Sequence, residues 1–127
     1  MQIQISTEHA IRIIRYLHLR ERGVYSAQDI SAALGVSYPF FVKIASMLRQ
    51  AGILDAVQGR NGGYLLNKPA SEISLYDVLL SIEGEAKPTG RRANEADGTD
   101  PCVVRAYFQM LQETTVAALS SKSVAEL

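Results

Sequence analysis

The chain has 127 residues, 47% of them hydrophobic, with 13 basic and 13 acidic side chains and a single cysteine. That is apolar mass enough for one domain, or for a small domain with an accessory element. A lone Cys102 makes neither an internal disulfide nor a tetrahedral metal site, and the sequence has no basic-then-apolar leader and no run of about 18 apolar residues, so a cytoplasmic protein with no membrane partner is expected. The zero net charge is unevenly spread: Met1 to Lys68 carries eight Lys/Arg against four acids, and Pro69 to Leu127 five against nine. Such asymmetry is what a polyanion-binding part joined to an acidic, non-binding part would show.

Ala10, Ile14 and Leu17, widened by Ile11 and Ile13, have the spacing of an amphipathic first helix, stopped by Gly23. "SAQDISAALG" predicts a second helix, in which Ser26 and Asp29 have capping-box spacing, Ile30, Ala33 and Leu34 supply the inner face and Gly35 ends the run. A third helix follows almost at once. In "SYPFFVKIASMLRQAG" Ser37 is the N-cap, Pro39 sits in the first turn where its missing N–H does no harm, and Phe41, Ile44 and Leu48 form a buried stripe ending at Gly52. Two helices joined by so short a turn make a helix-turn-helix. Two short apolar arms, Ile53 to Val57 and Tyr64 to Asn67, then flank a glycine-rich loop and read as a hairpin, which makes the unit winged. The glycines are expected to give the loop positive φ, with Arg60 and Asn61 at its tip.

Beyond the wing, "SLYDVLLSIEG" predicts a short helix capped by Ser74, with Leu75, Val78, Leu79 and Ile82 on its inner face. Residues 85–100 carry no large apolar side chain and read as a mobile loop. Asp100 and Pro101 then start a last helix, in which Val104, Tyr107 or Phe108, Leu111, Thr115 and Ala118 repeat at helical spacing. About 20 residues of helix span about 30 Å, more than so small a domain covers alone, so this stripe is expected to bury itself against a second copy. The expected fold is mainly α with a small β-hairpin. Its parts are a winged helix-turn-helix at 1–69, a connecting helix at 70–84, the loop at 85–100 and a dimerisation helix with its tail at 101–127.

A recognition helix enters the major groove by its N-terminal end. The side chains placed there are Ser37, Tyr38, Pro39, Val42 and Lys43, with Ser46 one turn on. Hydroxyls and first-turn N–H groups hold phosphate, Lys43 reaches phosphate or guanine, and Val42 touches a thymine methyl. Arg60, with Gln58 and Asn61 beside it, suits a minor groove whose width it can read. Cys102 falls in the first turn of the last helix, where the helix dipole favours a thiolate, so it is a candidate redox or effector residue as well as a small apolar filler. His9 and His18 read as surface or boundary residues. No catalytic constellation is present, and "GRNGGY" neither opens a helix nor ends in GK[ST], so no enzyme and no nucleotide loop is expected.

The stretches "LRQAGILDAV", "VQGRNGGYLL", "SLYDVLLSIEG" and the closing "SVAEL" together resemble the Rrf-two family of bacterial transcription regulators, from Ile5 to the end of the chain. The resemblance implies a homodimer joined through the helix from Cys102 to Ser121, bound to a near-palindromic double-stranded operator and most often repressing. Cluster-binding members carry three cysteines before the dimer helix; here Cys102 alone matches the last of them, and Glu8 falls where some members take an acidic ligand. No cofactor is therefore expected, and the signal is left to the Cys102 thiol, a small-molecule ligand or a protein effector. Gln58 stands where a wing arginine is common and Val42 where a recognition-helix glutamate is frequent, so no relative's operator sequence transfers. The rival reading is a protein-interaction module on the same fold, with DNA binding weak or lost.

Overall fold

Ala10, Ile13, Ile14 and Leu17 bury one face of α1 (Ile5–His18) against a core shared with every later element of the head. In this computed structural model residues 4–84 and 101–127 are described, the side chains of Pro101 and Cys102 apart; the expected loop at 85–100 lies outside the described residues. α1 stops at His18, well before Gly23. The residues beyond it have little apolar surface to bury. Arg20 turns back instead, its guanidinium 3.3 Å above the Tyr16 ring and its Nη1 donating to the Tyr16 carbonyl at 3.0 Å.

α2 (Ala27–Leu34) and α3 (Tyr38–Gln50) are separated by three residues and bent by 111° from one another. That angle belongs to a helix-turn-helix. Both helices start on serine: Ser26 Oγ accepts from the Asp29 N–H at 3.1 Å and Ser37 Oγ from the Phe40 N–H at 3.3 Å. Both end on a left-handed glycine, Gly35 at φ 68° and Gly52 at φ 77°. After each glycine the next N–H reaches back five residues, Val36 to Ser31 and Ile53 to Leu48, closing a Schellman motif. On α3 the expected stripe is buried, with Phe41, Ile44 and Leu48 joined by Ala45. On α2 the inner face differs: Ile30 and Ser31 are buried, Leu34 is half-buried and Ala33 is exposed. Ser31 tolerates the core because its hydroxyl donates to the Gln28 carbonyl of its own helix at 3.2 Å.

β1 (Leu54–Val57) and β2 (Gly63–Leu66) pair antiparallel, Leu54 opposite Leu66 and Val57 opposite Gly63. The hairpin is tied to the end of α3, since Asn67 Nδ2 donates to the Gly52 carbonyl at 3.0 Å and its N–H to the Ile53 carbonyl at 2.9 Å. Tyr25, just before α2, adds a third strand position. Its N–H donates to the Tyr64 carbonyl and its carbonyl accepts from the Tyr64 N–H, at 3.0 and 2.8 Å.

α4 (Leu75–Glu83) opens on a full capping box, Ser74 Oγ accepting from the Asp77 N–H and Asp77 Oδ2 from the Ser74 N–H, both at 3.0 Å. Val78 and Leu79 are buried, with Leu75 and Ile82 at the margin. Thr7, buried on α1, donates its hydroxyl to Glu83 at the far end of α4. α5 (Pro101–Ser120) packs along α4, and the chain then returns to the head. Ser123 bridges Ser74, the Leu75 N–H donates to the Lys122 carbonyl and the Val124 N–H to that of Ile73, each at 2.9 Å, and Val124 is a core residue. The winged head is therefore closed by the last residues of the chain as well as by residues 4–84.

Candidate nucleic-acid interface

At 100° per residue, α3 turns Phe41, Ile44, Ala45 and Leu48 inward and Pro39, Lys43, Ser46 and Gln50 outward. Ser37, Tyr38, Pro39, Lys43 and Ser46 are all exposed at the N-terminal part of the helix. Val42 is placed differently. It lies on the flank, half-buried and packed against the core, so it offers an edge rather than a whole isopropyl group. Gln50 extends the outward row by one more turn; the same helical spacing that picks out Lys43 and Ser46 could have found it.

The wing tip is a tight turn, with the Gly62 N–H donating to the Gly59 carbonyl at 3.0 Å across Arg60 and Asn61. Gln58, Arg60 and Asn61 are exposed. The glycines serve two purposes. Gly59 alone takes a positive φ, 107°. Gly62 and Gly63 are needed for close approach, because a Cβ would lie 2.1 Å from the Val57 carbonyl oxygen at Gly62 and 2.2 Å from that of Tyr25 at Gly63. The expectation that the glycines give the loop positive φ holds at Gly59, while the other two are required by crowding of backbone on backbone.

Among the described residues neither Lys43 nor Arg60 is engaged in a hydrogen bond or ion pair. Two other basic groups, Arg12 and Arg20, are occupied: Arg12 lies 3.3 Å from both His9 Nδ1 and the Leu34 carbonyl, and Arg20 is stacked on Tyr16. His9, half-buried, meets the edge of Phe40 at 5.4 Å, and His18 is exposed.

On α5, Val103, Val104, Tyr107, Phe108, Met110 and Leu111 are large apolar side chains left exposed. Val103 and Met110 broaden the stripe that spacing alone picks out. Thr115 departs from it: half-buried with Gln112, Val116 and Leu119, it lies on the side turned to its own chain, its hydroxyl bonded to the Leu111 carbonyl at 2.9 Å, while Ala118 is exposed. Cys102 stands in the first turn of α5, its side chain outside the described residues.

A recognition helix with an exposed hydroxyl and ammonium row, and a wing tipped by a free guanidinium, define a winged helix-turn-helix DNA-binding protein. The family model described as Rrf2, iron-dependent transcriptional regulator, matches residues 3–127. The chain belongs to this family and is a DNA-binding transcriptional regulator. It is 34% identical over 127 residues to protein aau3 of Rhizobium meliloti (strain 1021), spanning 91% of this chain and 82% of that one. With the HTH-type transcriptional regulator IscR of Photorhabdus laumondii it shares 35% identity over 112 residues, 87% of this chain and 68% of the relative. Among solved structures, CymR, the global cysteine regulator of B. subtilis, superposes with a TM-score of 0.79 at 20% identity over 99% of this chain and 95% of that one. T. potens IscR gives 0.76 at 21% over 99% and 85%. These two likenesses establish the fold.

Iron, named in the family description, is tested by the donor set. A cluster is held by several thiolates, and this sequence offers one per chain. Among the described residues no three His, Cys, Asp or Glu side chains are grouped to hold a metal ion. The residues present do not fit a cluster. No single helix among the described residues is long and apolar enough to cross a membrane.

Proposed function

We propose that the protein works as a homodimeric repressor on a near-palindromic operator, reading each half-site with α3 and the wing, and that it does so without an iron–sulfur cluster. The observation that carries the reading is the pairing of two exposed features on one chain. One is the polar and cationic face of Ser37, Tyr38, Pro39, Lys43, Ser46 and Arg60; the other is the apolar face of α5. A second copy covering α5 would set two reading heads side by side, as successive major grooves about 34 Å apart demand.

Arg60→Ala is expected to weaken operator binding by about 1–3 kcal/mol, with the thermal transition and the dimer unchanged, because the side chain is exposed and contributes nothing to the core. Titrating protein into mixed genomic DNA at rising salt tests the whole reading: phosphate contacts make affinity fall steeply. A flat salt response favours the interaction-module alternative.

The signal enters through the Cys102 thiol, a small ligand or a protein effector. If it is the thiol, mild peroxide lowers operator affinity in the native protein and not in Cys102→Ser. Equal loss in both proteins, or loss in neither, assigns the signal to a ligand or partner.

A further inference from the structure

Tyr64 stands where the recognition helix, the wing and the strand position of Tyr25 converge. Its ring meets Phe41 edge to face, with centroids 5.3 Å apart and planes at 85°. Phe41 is fully buried in α3, two residues from exposed Lys43. The backbone of Tyr64 exchanges two hydrogen bonds with Tyr25 and pairs with Ala56 of β1. The next residue toward the tip, Gly63, lets the Tyr25 carbonyl come so close that no Cβ fits between them. From there Gly62 leads straight into the Arg60–Asn61 turn. One aromatic ring therefore couples α3 to the strand that carries the wing tip.

We infer that Tyr64 is a positioning residue that fixes the angle between wing and recognition helix, so that Lys43 in the major groove and Arg60 in the neighbouring minor groove engage one duplex together. The inference rests on the reading of Lys43 and Arg60 as DNA contacts. Tyr64 itself touches neither groove contact; it acts through Phe41 and through β2. A wing already held at its bound angle loses little freedom on binding, whereas a wing that swings must be ordered at the expense of affinity. Without the ring, the base of the wing is still held by Leu54 and Leu66 against the core and by the Asn67 bond to the Gly52 carbonyl, while the part from Tyr64 to the tip keeps only its backbone hydrogen bonds and is free to tilt about them.

The test is a double-mutant cycle on the full-length protein, with a duplex that the wild type retains from genomic DNA as the probe. Arg60→Ala is expected to lower affinity by about five- to 150-fold in the wild-type background and by less than about twofold in Tyr64→Leu. Lys43→Ala should cost the same in both backgrounds, and Tyr64→Phe, which keeps the ring, should restore the full Arg60 effect. Should Tyr64→Leu lose its cooperative thermal transition, Tyr64→Met carries the cycle. Spin labels at Arg60→Cys and Ser46→Cys, in a Cys102→Ser chain, give an independent reading without DNA: a narrow distance distribution that broadens in Tyr64→Leu. A full-sized Arg60 effect in the leucine background, or equal label distributions, overturns the positioning role alone. An Arg60→Ala substitution without effect in the wild type overturns the wing reading beneath it.

Discussion

Val124→Asp is expected to abolish the cooperative thermal transition and with it all operator binding. Val124 lies in the last turn of the chain and is only 1% exposed, packed in the same core as Ile13, Ile14, Phe41 and Ile73. Its N–H is bonded to the Ile73 carbonyl, so the backbone cannot move outward without breaking the bridge that seats the tail. An unpaired carboxylate forced into such a site costs several kcal/mol, comparable with the whole stability of a small domain, about 5–15 kcal/mol. Val124→Ala, which only leaves a cavity, should lower stability by about 1–3 kcal/mol and keep the fold. Leu127→Asp serves as the control, since Leu127 is 48% exposed and its charge stays in water. Circular dichroism melts of the three variants decide it. A cooperative native-like transition in Val124→Asp would mean that the tail is not part of the core in solution.

Leu111→Asp should have the opposite profile: an intact head, and no dimer. Leu111 is 41% exposed in the single chain, in the apolar stretch with Val104, Tyr107 and Phe108, so a carboxylate there costs little while the chain is alone. In a two-fold dimer the same charge would be buried twice, each copy unpaired, at several kcal/mol apiece. Light scattering is expected to show monomers with a wild-type thermal profile for the head. Operator affinity should fall by about a hundred- to ten-thousandfold, because the second half-site no longer benefits from the linkage of two heads. Glu113→Ala, an exposed change on the same helix, should leave both properties alone. A Leu111→Asp protein that remains dimeric would place the subunit contact away from α5.

How much of this was legible in the sequence follows from the range of the interactions involved. The helix-turn-helix could be read residue by residue because its signals are local. Ser26 and Ser37 cap the residues three ahead of them, Gly35 and Gly52 take the left-handed conformation that ends their own helices, and Phe41, Ile44 and Leu48 follow a 3.6-residue period. Lys43, Ser46 and Arg60 emerge as exposed for the same reason: on a helix with one buried stripe, or at the tip of a two-stranded turn, the outward positions are set by the inward ones. Family membership was legible too, through the wing and the closing residues.

Tertiary structure decided what depends on partners distant in the chain. Tyr25 becomes a strand partner of Tyr64 from 39 positions away, and a single bridge has no alternation to betray it. Gly62 and Gly63 are required by carbonyls of Val57 and Tyr25 that only the folded hairpin brings near, so the glycine-rich composition was visible and its cause was not. Ser31 in place of Ala33 on the inner side of α2, and Thr115 turned toward its own chain on α5, show that a helix's apolar period leaves its rotation free by a residue or so until a neighbour packs on it. Val124 belongs to a three-residue turn, too short for any periodic pattern, and it enters the core because Ile73 and Ser74 offer an open edge to pair with. Local hydrogen bonds and helical periodicity are written in neighbouring residues, whereas the choice of which surfaces meet is made by burial summed over the whole chain.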